Sequence, residues 1–324
     1  MKKQIVITDC DHGSIDIETQ VLNQASLDFD FHQCKTEEDL TSHCKGARAA
    51  INQYAPYTRK VFESLPELEL VVRYGVGVNN VDLDAATDHH VQVCNVPDYG
   101  MYEVADHALA FMLAMTRRIV IMNESVHRKE WDYQKSIPIF RHSHQTVGII
   151  GFGRIGSVFA QRIHALGCRV IAYDTKYPSR ENRPARVPDY VELVELETLL
   201  EQSDVVSIHC PLDNAHHLIG EAELQKMKES AFIINVSRGG IIDEEALNKA
   251  LMNKWIAGAA LDVTQDEPIN PESPLFQHDM FLCTPHMAWY SEQAAKELKQ
   301  KVAEEVVRFV KGEAVHYPVN SLKK

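Results

Sequence analysis

The residues most suited to chemistry form a glycine-rich stretch, Gly151-Phe152-Gly153-Arg154-Ile155-Gly156, between the β-rich run Thr146 to Ile150 and a helical run from Arg154 to Leu166. The first glycine permits a tight turn, the second lets backbone approach an anion, and the third allows close packing of helix on strand. A helix start adds unpaired N–H groups, so strand, loop and helix together suit the pyrophosphate of a dinucleotide. Asp174 ends the next β-rich run, where a carboxylate can accept hydrogen bonds from a ribose. It would repel a 2′-phosphate and favour NAD over NADP, a preference that Lys176, Arg180 and Arg183 could soften.

Three later segments turn a coenzyme loop into a reaction: Asn235-Val236-Ser237-Arg238-Gly239-Gly240-Ile241-Ile242-Asp243, then Asp262-Val263-Thr264-Gln265-Asp266-Glu267-Pro268, then Thr284-Pro285-His286. With the glycine loop they resemble the D-isomer-specific 2-hydroxyacid dehydrogenase family. The likeness extends over nearly the whole chain, because Arg73-Tyr74-Gly75-Val76-Gly77-Val78-Asn79 is similar to that family's substrate loop. The resemblance implies an NAD-dependent oxidoreductase moving a hydride between nicotinamide and the 2-carbon of a small 2-oxo or 2-hydroxy acid. It also implies D-specific products and a homodimer.

The roles it implies agree with plain chemistry. Reduction of a 2-oxo acid needs a cation for the carboxylate, a proton for the carbonyl oxygen and a fixed geometry. Arg238 matches the family's arginine, whose planar fork can hold carboxylate and carbonyl oxygens together. His286 matches the acid/base, and Glu267 the carboxylate that favours imidazolium and fixes the ring. By the same resemblance, His209, Cys210, Pro211, Val236, Ser237, Arg238, Asp262 and His286 join Gly151, Gly153, Arg154, Ile155, Gly156 and Asp174 around the coenzyme. Tyr54, Tyr74, Gly75, Val76, Gly77 and Trp289 join Arg238 and His286 around the substrate, with the Val76 and Gly77 N–H groups offered to its carboxylate. Tyr102 is a weaker candidate for the pocket wall.

A narrower likeness follows the histidine. Pro285-His286-Met287-Ala288-Trp289-Tyr290-Ser291-Glu292-Gln293-Ala294 resembles the C-terminal-binding proteins, a corepressor branch, as do His209-Cys210-Pro211-Leu212, the Asn214 to Ile219 stretch and Val93 to Pro97. Val236-Ser237-Arg238 stands where that branch has Thr-Ala-Arg, and the chain stops at Lys324 without a long tail. Both departures favour a metabolic enzyme over the runner-up, a dinucleotide-sensing corepressor-like interaction protein, and a third reading, a 3-phosphoglycerate dehydrogenase, ranks lower. The latter needs further cations near a loop that offers Arg73.

The elements that position these groups alternate between strand and helix. Strands are expected at Gln4 to Thr8, Ala47 to Asn52, Leu68 to Tyr74 and Val91 to Val96, with helices at Ile15 to Gln24, Glu37 to Lys45 and Thr58 to Leu65. Next comes one long apolar helix, Glu103 to Asn123, as a domain link and subunit contact. A second series has strands at Val147 to Ile150, Arg169 to Tyr173, Val205 to His209, Phe232 to Asn235, Ala257 to Val263 and Phe281 to Cys283. Its helices are Arg154 to Leu166, Leu193 to Glu201, Glu221 to Lys228 and Glu244 to Met252, and an amphipathic helix, Ser291 to Lys311, closes the chain. The fold class is α/β: a doubly wound parallel Rossmann sheet plus a second, smaller flavodoxin-like α/β domain. Residues 101–290 would bind NAD, and a discontinuous substrate domain, 1–100 with 291–324, would close over them.

Composition narrows the partners. A length of 324 residues with 45% hydrophobic content suits two domains, and a net charge of −13 argues against a nucleic-acid partner. The seven cysteines never form a C-x-x-C pair, so they read as reduced thiols of a cytoplasmic protein rather than disulfides or a zinc site. His89 and His90, His142 and His144, and His216 and His217 lack metal-ligand spacing, so no metal is expected. The start lacks the apolar core of a signal peptide, and the longest apolar run, Ala108 to Met115, is too short to span a membrane.

Overall fold

Short runs of β-branched and small apolar residues, buried at nearly every position, mark strands covered on both faces, the signature of parallel sheets. The computed structural model describes residues 4–177, 187–213 and 215–322. Arg180, Arg183 and Asn214 lie outside the described residues, as does Lys324. The chain divides into two compact units, Met1–Gly100 with Ser291–Lys324, and Met101–Tyr290.

Numbered along the chain, the first unit holds β1 (Ile5–Ile7), α1 (Asp16–Gln24), β2 (Phe29–Phe31), α2 (Glu37–His43), β3 (Ala49–Asn52), α3 (Arg59–Ser64), β4 (Leu70–Arg73), α4 (Leu83–Asp88) and β5 (Gln92–Cys94). The C-terminal helix, α11 (Glu292–Val310), returns to this unit and packs on α1. The five strands are parallel in the order β2-β1-β3-β4-β5, the flavodoxin-like arrangement. Thr36 caps α2 through a reciprocal box with Asp39, and Asp82 caps α4 by accepting the Ala85 N–H. Neither β2 nor α4 was expected. β2 is a three-residue edge strand, and α4 is six residues long, each too short to establish a period.

The second unit holds α5 (Met101–Thr116), α6 (Ile119–His127), β6 (Thr146–Ile150), α7 (Arg154–Ala165), β7 (Arg169–Tyr173), β8 (Val191–Leu193), α8 (Leu196–Gln202), β9 (Val205–Ile208), α9 (Glu221–Lys226), β10 (Phe232–Asn235), α10 (Glu244–Met252), β11 (Gly258–Leu261) and β12 (Phe281–Cys283). The sheet runs β12-β11-β10-β9-β6-β7-β8, every pair parallel, with the doubly wound reversal between β6 and β9. Phe159, Ala160 and Ile163 of α7 join Ala105, Ala108 and Met112 of α5 on one face. On the other, Leu199, Leu224 and Leu247 anchor α8, α9 and α10.

Two expected elements are corrected. The single helix from Glu103 to Asn123 is two helices, broken where Arg118 adopts a left-handed φ of 56°. Thr116 turns its hydroxyl back onto the Met112 carbonyl at 2.7 Å, and the Arg118 guanidinium lies over the Phe232 ring. The helix expected from Leu193 starts at Leu196, because Val191, Glu192 and Leu193 alternate buried and half-buried as the β8 edge strand. Among the described residues, no helix is long and apolar enough to cross a membrane.

Candidate active site

The glycine loop follows β6 and starts α7 as the residue types require. Gly151 has a φ of +92°, and a Cβ there would overlap the backbone of Cys210, while one on Gly156 would overlap the Gly151 carbonyl. Gly153, the N-cap of α7, is exposed, and a Cβ there would project into open space. Among the described residues, the N–H groups of Gly153, Arg154 and Ile155 meet no acceptor. Arg154 is exposed and Ile155 half-buried. Asp174 accepts the Phe152 N–H at 2.8 Å and the Lys176 N–H at 2.9 Å, so one half-buried carboxylate braces the loop at the strand end. The cradle therefore fits a dinucleotide: two glycines are needed for backbone contact, and the third leaves room beside open amides.

Cys210 and Pro211 leave the neighbouring strand β9, Cys210 half-buried and Pro211 exposed. His209 bonds Ser207 Oγ through Nε2 at 2.9 Å, while its Nδ1 is sealed from solvent and meets no partner. After β10, Asn235 organises the next loop: its Nδ2 donates to the Arg238 carbonyl at 2.8 Å and its Oδ1 accepts the Ser237 N–H at 3.0 Å. Ser237 donates its hydroxyl to the Cys210 carbonyl, joining the β9 and β10 loops. Val236 is 6% exposed, so its side chain belongs to the core. Arg238 is half-buried, with Nη1 donating to the Ser237 carbonyl at 2.7 Å.

His286 and Glu267 meet directly, Nδ1 to Oε2, at 2.7 Å. A carboxylate only accepts, so Nδ1 carries the proton of that bond and Nε2 is the atom left to exchange one. Burial pushes the Glu267 carboxyl up, but the hydrogen bond and charge of His286, the Thr264 N–H and the Arg238 guanidinium outweigh it and hold the group below its ordinary value. His286 has a φ of 51°, with its N–H shared by the Asp262 and Thr284 carbonyls. Asp262, expected beside the coenzyme, is 2% exposed, and its carboxylate is engaged by the Thr284 hydroxyl at 2.6 Å and by the Met287 and Ala288 N–H groups, each at 2.9 Å. Its observed work is to fold the turn that carries His286.

These observations sit inside a matched region: residues 109–288 fit the family described as D-isomer specific 2-hydroxyacid dehydrogenase, NAD binding domain. The chain belongs to this family. It is an NAD-dependent oxidoreductase acting on a CH–OH group. A glycerate dehydrogenase of Methylorubrum extorquens is 34% identical over 320 residues, covering 96% of this chain and 98% of the relative. A glyoxylate reductase of Korarchaeum cryptofilum is 38% identical over 263 residues, 80% and 78% of the two chains. Among solved structures, a D-lactate dehydrogenase from Aquifex aeolicus complexed with NAD and lactic acid superposes with a TM-score of 0.87 at 25% identity, over 95% and 96% of the two chains. All three relatives bear enzyme names.

The expected substrate residues divide between the units. In the first, Asn95 Nδ2 donates to the Val76 carbonyl at 2.6 Å and the Val96 N–H to the Gly75 carbonyl at 2.9 Å, pinning the loop. Gly75 needs its φ of +124°, and a Cβ there would overlap the Arg73 guanidinium. Among the described residues, the Val76 and Gly77 N–H groups meet no acceptor. Tyr74 does not supply a pocket wall: its ring is buried and its hydroxyl donates to Glu18 Oε1 at 2.8 Å, leaving its main chain to the loop. Tyr54 is exposed. In the second unit, Trp289 is half-buried with its ring edge-on to Tyr290, and Tyr102 is exposed under the Arg162 guanidinium.

Sequence reading missed four residues that hold this site: Asn235, Gly239, Thr264 and Thr284. Gly239 is the least replaceable, since any Cβ would overlap the Thr264 carbonyl where the Arg238 loop rests on the Glu267 loop. The adjacent pair Gly239-Gly240 was a visible signal for a close backbone approach. Among the described residues, no three His, Cys, Asp or Glu side chains form a group able to hold a metal ion.

Proposed function

We propose that this protein reduces a small 2-oxo acid of the glyoxylate and hydroxypyruvate class to the 2-hydroxy acid, in the D form where C2 becomes chiral, and runs the reverse oxidation. The observation that carries the assignment of roles is the 2.7 Å bond from His286 Nδ1 to Glu267 Oε2 on a turn built by Asp262. NADH, when bound, supplies the hydride to C2. His286 Nε2 gives its proton to the carbonyl oxygen, so C=O gains one hydride and one proton and becomes CH–OH. Glu267 holds the ring and stabilises the imidazolium before transfer. The Arg238 fork takes the carboxylate and polarises the carbonyl. Asp174 favours NAD over NADP. The names of the relatives support the substrate size.

We further infer a homodimer formed through residues 119–140, where Ile119, Val126, Tyr133, Ile137 and Phe140 are exposed and Trp131 is 90% exposed. The seven free cysteines, among them buried thiols such as Cys34, pushed up to about 12 by burial, suit a reducing cytoplasm.

Turnover of NADH with glyoxylate, hydroxypyruvate and pyruvate tests the roles. His286→Gln should lower kcat by about 10³, and Arg238→Ala should lower kcat/KM by roughly 10² or more. NADH affinity should stay near that of the parent protein. Ordinary turnover by either variant would refute the assignment.

A further inference from the structure

Helix α5 carries a histidine for which the reaction has given no use so far. His107 places Nε2 3.0 Å from Thr284 Oγ1 and 3.8 Å from Asp262 Oδ1, and its ring packs edge-on against Phe111 at 4.5 Å. Thr284 spends its one hydroxyl proton on Asp262 Oδ1 at 2.6 Å, so toward His107 it acts as acceptor and the imidazole must donate Nε2–H. Burial pushes the His107 imidazole below its ordinary value, with the Asp262 carboxylate opposing. A donor at this place fixes the direction of the Thr284 hydroxyl.

That direction matters for the turn. Asp262 Oδ1 takes the Thr284 hydroxyl and the Met287 N–H, and Oδ2 takes the Ala288 N–H, which together span the residues on either side of His286. The Asp262 carbonyl accepts the His286 N–H at 2.8 Å. His286 is thereby held at a φ of 51°, a left-handed backbone conformation that L-residues other than glycine adopt reluctantly. Without the orienting donor, the Thr284 hydroxyl can rotate to another acceptor and release one corner of the turn.

We propose that His107 is a positioning residue for His286, acting from α5 through Thr284 and Asp262 to set the imidazole that exchanges the substrate proton. The inference rests on the acid/base reading of His286. Among the described residues, His107 makes no hydrogen bond, ion pair or ring contact with Glu267 or His286, so its effect should fall on the rate of the chemical step rather than on binding.

The test uses the full-length protein with NADH and glyoxylate. His107→Leu removes the donor, and His107→Gln returns an N–H donor of similar reach. The expected result is a ten- to thirtyfold loss of kcat in the Leu variant, with KM and the NADH Kd within twofold of the parent, and recovery by Gln to within about threefold, the size expected for one oriented hydrogen bond. Thr284→Val should reproduce the loss and Thr284→Ser should relieve it, which keeps the test decisive if His107→Leu does not fold. Unchanged kcat in both His107→Leu and Thr284→Val, or equal losses in kcat and NADH affinity, overturns the proposal. His286→Gln, measured alongside, separates the two readings: if it keeps turnover the acid/base role itself fails, whereas its inactivity beside a fully active His107→Leu removes only the role of α5.

Discussion

Both units are parallel sheets whose strand order reverses, between β1 and β3 in one and between β6 and β9 in the other, and such a reversal opens a crevice at the carboxyl ends of the strands. The two crevices are used in opposite ways. Beyond β6, the amides of Gly153, Arg154 and Ile155 are open and the space beside Gly153 is empty of protein atoms. Beyond β1, the protein fills the equivalent place with its own anion. Asp9 is 5% exposed and accepts Asn52 Nδ2 and the Gln53, Tyr54 and Ala55 N–H groups, with the Thr8 hydroxyl 2.8 Å away. Topology supplies an anion-receiving crevice each time. One side chain decides whether it serves stability or a ligand.

A crossed pair of substitutions breaks this comparison most directly. Asp9→Ala leaves the Gln53 and Ala55 amides buried without acceptors, at a cost of about 3 kcal/mol to the first unit. All three tryptophans, Trp131, Trp255 and Trp289, lie in the second unit, so calorimetry should show a lowered first transition while the tryptophan fluorescence transition and NADH binding hold. Gly153→Val has the reverse signature: its Cβ meets no protein atom, so melting should stay put, while it fills the cradle and weakens NADH by ten- to a hundredfold, about 1.4 to 2.7 kcal/mol. If Asp9→Ala melts like the parent, or Gly153→Val binds NADH normally, the division of labour between the crevices is wrong.

The open crevice was legible in the sequence and the filled one was not, for a physical reason. Glycine spacing reports a backbone requirement directly, so Gly151 to Gly156 could be placed between β6 and α7 before any coordinates. Asp9 looks like any acid after a short apolar run, and its donors sit more than forty positions away. The same holds at the proposed reactive end. His286 and Glu267 were singled out by resemblance, but the path from His107 to Thr284 joins residues 177 positions apart and leaves no local pattern. Strand and helix positions read well where runs were long, and failed at β2 and α4, which are too short to show a period, and at Arg118, where packing on Phe232 interrupts an apolar run that reads as one helix.

His209, at the rim of the open crevice, sharpens the contrast at smaller cost. Where Asp9 has every oxygen satisfied, His209 Nδ1 has no partner, and burial pushes the imidazole down from 6.5 to about 3. The residue as a whole keeps some surface, but Nδ1 is sealed, and the ring's surroundings govern its protonation. A base with a lowered folded value binds its proton more readily when unfolded, so stability is complete above 6.5 and falls as pH drops toward 3. The slope is about 1.4 kcal/mol per pH unit, hence roughly 2 kcal/mol lost by pH 5. Urea unfolding at pH 7 and pH 5, compared with His209→Leu, measures it. The variant should lose about that much less stability between the two values, and equal losses in both proteins would mean that the ring is solvated and the crevice rim as well satisfied as the Asp9 plug.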